Sequence, residues 1–304
     1  MTDFPRPRGA YPSSRAQLAG ATPHKLVIAA QTQFLWRYVG LSMWLNNKYG
    51  NCVEAEEAAA KACMTPNGGF MISDTEVLRW GTANGVLNGA NLPPVMDTMK
   101  TAGFQQSGNL YNDGSRFSVD WTNSAILQSA ITVGPVKIAI AADQMQTAYD
   151  LVNPAAGGVS GWCLTGAKPD LDNVDHCTHL SGFGTIGWLS QAIEALCQQL
   201  GLPFAPLPID VDGTRPGYAM FTWKTVGIVD VPSMIAITGE AWLRNPTTLV
   251  VPINPNPNPP NPPNPPNPTP TPTPAPSTVD QDVRNYLTEV DRFLEGRPAP
   301  PWAT

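Results

Sequence analysis

Between Pro252 and Pro276 the sequence reads PINPNPNPPNPPNPPNPTPTPTPAP, placing 14 of the protein's 33 prolines in one run of 25 residues. Proline fixes φ and lacks the backbone donor, so this run can neither continue a helix nor join the middle of a sheet. Its Asn and Thr neighbours are polar and leave no apolar face to bury. The tract is therefore expected to be a polyproline-II spacer reaching about 75–80 Å. It divides the 304 residues into a foldable part over 26–250, a linker over 251–277 and a tail over 278–304. Residues 1–25 are polar and proline-bearing, and an irregular lead-in is expected there. In the tail, Val279, Val283, Tyr286, Leu287, Val290, Phe293 and Leu294 recur at helical spacing, with Gly296 as the stop. One amphipathic helix cannot bury its own face, so it docks back on the chain or binds a protein partner.

Within the foldable part, Cys52 to Met64 is rich in alanine and glutamate and favours a helix, stopped by Thr65-Pro66-Asn67-Gly68-Gly69. Ser73 and Glu76 have capping-box spacing for a second helix that Gly85 closes. Shorter helices are expected around 94–101 and 122–131. Beyond them, 136–141, 178–183, 218–223 and 226–231 read as strands, with a further helix over 188–200. Helices first and strands later predict an α+β fold of two packed lobes.

Composition excludes several function classes. Net charge is −6 with no basic run, which provides no footprint for nucleic acid or an anionic membrane. No window approaches the ~18 apolar residues of a membrane span. The start, MTDFPRPRGAYPSSRAQ, lacks the apolar stretch of a signal peptide. Five cysteines, an odd number without CxxC pairs, read as reduced thiols, and a cytoplasmic location is expected. No cofactor is implied. Cys163, Cys177 and His179 suggest a metal site, but strand alternation turns His176 and Thr178 one way and Cys177 and His179 the other. Too few ligands are left for a closed zinc site. Glu54, Glu56 and Glu57 read as a solvated first helical turn.

The residues that can carry chemistry are Cys52 and His176. Cys52 follows Asn46-Asn47-Lys48-Tyr49-Gly50-Asn51 at the head of the first helix, where dipole and amides favour a thiolate. Gly50 is expected to permit a tight turn there. His176 follows Asp175 and opens a strand ending Gly182-Phe183-Gly184. Asn46 lies six residues ahead of Cys52, and Gly134-Pro135-Val136 precedes the histidine.

In their order and spacing these motifs resemble the papain-like cysteine peptidase superfamily over about residues 35–230. The resemblance implies a two-lobed α+β fold, helical lobe plus antiparallel β lobe, with a cleft between. It implies Cys52 as nucleophile, His176 as its base, and Asn46 with the Cys52 N–H as oxyanion donors. Asp175 would be an electrostatic neighbour of the histidine. The family's Asn-Ser-Trp-Gly, whose Asn orients the histidine, is absent; Thr222, Trp223 and Lys224 occupy that region. Glu56, one turn after Cys52, is expected to oppose the thiolate. The residues before Cys52 are too few for a full-length inhibitory pro-segment, so none is expected. The implied activity is hydrolysis of peptide or amide bonds in a peptide or protein substrate. Two other readings use the same residues. One is an inactive papain-fold binding module tethered through its linker and terminal helix; the other is a cysteine acyltransferase.

Overall fold

Residues 7–26, 31–154 and 157–253 are described by a computed structural model. The proline spacer and the helix expected over 278–295 lie outside the described residues. The stretch read as an irregular lead-in contains strand β1 (Ala10–Tyr11) and helix α1 (Arg15–Ala19), the latter opened by a complete Ser14–Gln17 capping box. Strand β2 (Phe34–Leu35) precedes three helices. These are α2 (Cys52–Ala62), α3 (Asp74–Asn84) and α4 (Leu92–Thr101), with the short strand β3 (Ala90–Asn91) ahead of α4. Helix α3 starts on the Ser73 hydroxyl and stops at Gly85 in the left-handed region, as its sequence dictates. The Glu76 carboxylate does not complete the box, because Arg79 and the Gln105 N–H claim it.

Strands β4 (Phe104–Gln106), β5 (Asn109–Asn112) and β6 (Ser115–Ser118) come next. Helix α5 (Ser124–Val133), strand β7 (Val136–Ile140), helix α6 (Asp143–Val152) and strand β8 (Cys163–Leu164) follow. Then come β9 (His176–Thr185), α7 (Ile186–Leu200), β10 (Pro216–Thr222) and β11 (Thr225–Asp230). The series ends with α8 (Val231–Ile237), β12 (Thr238–Asn245) and β13 (Leu249–Pro252). The main sheet has the order β6-β12-β7-β9-β10-β11-β8, and β2 also pairs with β9.

Strand alternation builds a core on each face of this sheet. Ala219 and Phe221 of β10 join the side that holds α2, α3 and α4, while Tyr218 and Met220 join the side that holds α5 and α6. The expected α+β architecture of helical lobe and β lobe is what forms.

Helix α2 is buried along its whole length, glutamates included. This corrects the expectation of a solvated first turn. Arg244 from β12 donates Nη1 to Glu57 Oε2 at 2.7 Å and Nη2 to Glu56 Oε1 at 2.6 Å. Lys137 from β7 meets Glu57 Oε1 at 2.5 Å and Glu56 Oε2 at 2.8 Å. His179 Nδ1 lies 3.1 Å from Glu56 Oε1, and Lys61 pairs with Asp113 at 2.5 Å. The cations come from strands 80 or more positions away, so nothing local marks these glutamates as interior. A buried charge persists only when paired and hydrogen-bonded, as the Glu56 and Glu57 carboxylates are; Asp113, with one oxygen unpartnered, is lifted by burial to about 7. The cluster locks α2 against the sheet at a fixed height.

Candidate active site

That height sets where the first residue of α2 sits. Cys52 is buried at the helix N-terminus, and its Sγ accepts the Cys177 N–H at 3.4 Å. Cys177 follows His176 at the start of β9, so the helix head and the strand head meet. Ladder pairing fixes the histidine from one side, where Ile140 of β7 lies opposite His176; the β10 ladder reaches only as far as His179, opposite Phe221.

His176 Nε2 stands 2.9 Å from the Thr222 hydroxyl, while Nδ1 is buried without a hydrogen-bond partner. The Trp223 ring lies over the imidazole at 4.7 Å between centroids. Cys52, Asn46, His176, Thr222 and Trp223 line a single cavity of about 10 Å³, room for about one water. Asn46 is buried, and its Nδ2 donates to the carbonyls of Pro7 and Tyr49, each at 3.2 Å.

Backbone strain concentrates at this point. Among the described residues five non-glycine positions have positive φ, and four of them adjoin the site: Trp44 (43°) and Leu45 (65°) ahead of Asn46, Trp223 (41°) and Lys224 (66°) after Thr222. Thr222 pairs with Thr225, so Trp223 and Lys224 form a two-residue hairpin turn with both φ positive. Asn-Gly is the unstrained choice for such a turn. Strain held by the surrounding structure is characteristic of functional sites. Here it holds the Trp223 ring against the histidine.

The electrostatics are those of a closed site. Burial pushes the Cys52 thiol up to about 12; the Cys177 and Gly9 amides and Lys137 pull it back, and Glu54 adds to the rise. Burial, with Arg8 nearby, takes His176 down to about 3. As folded, the pair is a neutral thiol beside a neutral imidazole. Glu56 is not the acid that opposes the thiolate, contrary to expectation. Arg244, Lys137 and His179 hold its carboxyl well below the usual range despite burial, and its charge is spent on them. Glu54 is the acid that Cys52 senses, and both of its oxygens are buried without a partner. Asp175 faces away from the imidazole, to Arg8 at 2.7 Å and the Ala142 N–H at 3.2 Å. Gly50 leaves room rather than making a tight turn, since a Cβ there would stand 2.9 Å from the Arg8 carbonyl oxygen.

No protein-family model and no curated protein sequence matches the chain. Solved structures do. The digestive procathepsin L 3 of Tenebrio molitor larval midgut superposes at a TM-score of 0.50 with 11% identity, covering 74% of this chain and 73% of that one. The fold is papain-like. Two further structures are similar at lower scores. The proform of Amb a 11, a ragweed pollen cysteine protease, gives 0.48 with 10% identity over 75% of this chain and 71% of that one. A Carica candamarcensis cysteine protease gives 0.45 with 12% identity over 71% and 98%. At such identities the likeness establishes architecture only.

Within the papain-like frame, the residues singled out in the sequence come together: Cys52, His176 and Asn46 share one cavity. Of the three residues in the orienting region, Thr222 alone meets a ring nitrogen. A hydroxyl two residues before the end of a strained hairpin turn was the only signal for it. The N-terminal residues Pro7, Arg8 and Gly9, which touch Asn46, Asp175 and the thiol, gave no signal. All five cysteines are unpaired, four of them buried. No described helix is long and apolar enough to cross a membrane.

Proposed function

We propose that the protein is a cysteine-type hydrolase of peptide or amide bonds. The observation that carries this reading is the convergence of Cys52, His176, Asn46, Thr222 and Trp223, from separate segments, on one cavity. Once the pair is reached by substrate, His176 takes the Cys52 proton and the sulfur attacks the acyl carbon. Asn46 Nδ2 and the Cys52 N–H stabilise the oxyanion, whose charge exists only in the transition state and intermediate. The intermediate collapses to a thioester as the imidazolium protonates the departing amine. Water, deprotonated by His176, then releases the acid and restores the thiol. Throughout, Thr222 and Trp223 hold the ring in plane. An amine in place of that water would make the same thioester an acyl-transfer intermediate. The free thiols suit a reducing compartment, and we propose the cytosol.

The test is the rate at which iodoacetamide labels Cys52 at pH 6, read by peptide mass mapping on Arg8→Glu, which loosens the segment covering the buried thiol, and on Arg8→Glu combined with His176→Ala. An unpaired thiol has a pKa near about 8.5 and is almost unreactive at that pH. Labelling that depends on His176 supports the hydrolase. Labelling of Cys52 at equal rates in the two proteins overturns it in favour of a binding module.

A further inference from the structure

Cys52 has a second sulfur for a neighbour. Its Sγ accepts the Cys177 N–H at 3.4 Å, and an N–Cα bond of about 1.5 Å then puts the Cys177 Cα within about 5 Å of that sulfur. The Cys177 side chain also points the right way. His176 faces Thr222 and Trp223, so strand alternation turns Cys177 to the opposite face of β9, the one that carries α2. There it packs in the same core as Cys52, across the ladder from Ala139 of β7. The charges that act on its thiol come from that face too: Lys137, Glu56, Glu57 and Cys52 itself. Both cysteines line the small cavity shared by Asn46 and His176. This is the reach of a disulfide, which joins Cα atoms about 4.4–6.8 Å apart.

No other cysteine competes for Cys52. Cys63 closes the far end of α2, about 16 Å along the helix, and its thiol turns to the Ala59 carbonyl at 3.8 Å. Cys163 lies on β8, three strand spacings or about 14 Å from β9. Cys197 on α7 turns to Ser160.

We propose that Cys52 and Cys177 are a reversible oxidation site that closes to a disulfide under hydrogen peroxide, with Cys177 as the resolving thiol. Burial holds both thiols protonated at rest, so the first step needs His176. The imidazole takes the Cys52 proton, and the sulfur attacks one peroxide oxygen. The O–O bond breaks, and the departing hydroxide takes the proton from the imidazolium and leaves as water. Cys52 is then a sulfenic acid. The Cys177 sulfur attacks it, forming the S–S bond as the S–O bond breaks, and the hydroxide leaves with the Cys177 proton as a second water. Two thiols lose one electron each, and peroxide is reduced to water. A cavity of about 10 Å³ suits so small an oxidant and excludes a bulky disulfide. The crosslink withdraws the nucleophile but reverses with a dithiol, whereas a sulfenic acid left without a partner goes on to irreversible sulfinic acid. The proposal deepens the hydrolase reading and rests on it for the first step alone, since the approach of the two cysteines belongs to the fold.

The test treats the full chain with hydrogen peroxide, blocks the remaining thiols with N-ethylmaleimide under denaturing conditions, and maps peptides by mass without reduction. Wild type is expected to give one crosslinked pair, the Cys52 and Cys177 peptides, which dithiothreitol separates, while Cys63, Cys163 and Cys197 take the maleimide. In Cys177→Ala, Cys52 is expected as sulfinic acid, and the thiol that dithiothreitol recovers at Cys52 falls about fivefold or more. Arg8→Glu, which loosens the segment over the thiol, is expected to form the crosslink faster. Absence of a Cys52–Cys177 crosslink from both wild type and Arg8→Glu overturns the proposal, whether Cys52 is then free or oxidised. So does a crosslink from Cys52 to another cysteine in equal yield. His176→Ala separates the two readings. A crosslink that forms as fast without the imidazole leaves the oxidation site standing and removes the base, while His176-dependent alkylation without any crosslink does the reverse.

Discussion

The head and the body of helix α2 are equally buried and electrically opposite. Along its body, Glu56 and Glu57 keep their charges, because Arg244 and Lys137 arrive from other segments to meet them. At its head, Cys52 and His176 are buried without an ion pair, and burial outweighs the pull of Lys137 on the thiol and keeps both neutral. Burial therefore does not decide ionisation by itself; the partners brought by distant strands do. The first region fixes the helix in place so that the second can be left poised.

Removing a partner from the charged region should have the largest effect. Arg244→Met leaves Glu56 and Glu57 short of their main cation, and a broken buried pair costs about 3–5 kcal/mol. Urea unfolding is expected to show that loss, and a midpoint within error of wild type would mean that the cluster reorganises around Lys137 alone.

Glu54 sharpens the contrast, being a third acid of the same helix whose buried oxygens meet no hydrogen-bond partner and which Lys137 only partly offsets. Burial lifts its carboxyl to about 8, above the unfolded value of about 4.3. Its ionised form is thus disfavoured in the fold; the cost is absent below about pH 4.3 and complete above about 8. Glu54→Gln should leave stability unchanged at pH 4 and raise it by about 5 kcal/mol at pH 8.5. Equal effects at both pH values would show that Glu54 titrates normally.

The smallest effect is expected at the neutral end. Thr222→Val strips His176 Nε2 of its only hydrogen bond, costing about 1–2 kcal/mol in thermal unfolding. It should also cancel the His176 dependence of Cys52 labelling, which Thr222→Ser restores. Loss of stability with that dependence intact would reduce Thr222 to a packing residue.

What the sequence disclosed follows the range of each interaction. Helices α2 and α3 and the strands β7, β9, β10 and β11 announce themselves through alanine, caps and β-branched runs, all local. Cys52, His176 and Asn46 were legible because each heads or adjoins such an element. Helix α6 was not, since its N-cap position is Ala142 and no side-chain bond marks its start. The fate of Glu56 and Glu57 was hidden because the pattern of a solvated first turn and of an ion cluster's core is the same over ten residues; the difference is Lys137 and Arg244. Thr222 lay beside a turn whose sequence, Trp223-Lys224, contradicts the conformation it adopts. The segment over the site was least legible, because Arg8 finds its acceptors 135 and 167 positions away.

At Gly9, Gly50 and Gly89, main chain rests directly on main chain. A contact without side chains cannot be graded: any substitution there either fails to seat or does not occur. Variation in how firmly the segment over the thiol is held is thereby channelled to the Arg8 ion pairs with Asp143 and Asp175, where one charge more or less changes the strength of the contact without changing its shape. The backbone sets the fit once, and the ion pairs remain the dial.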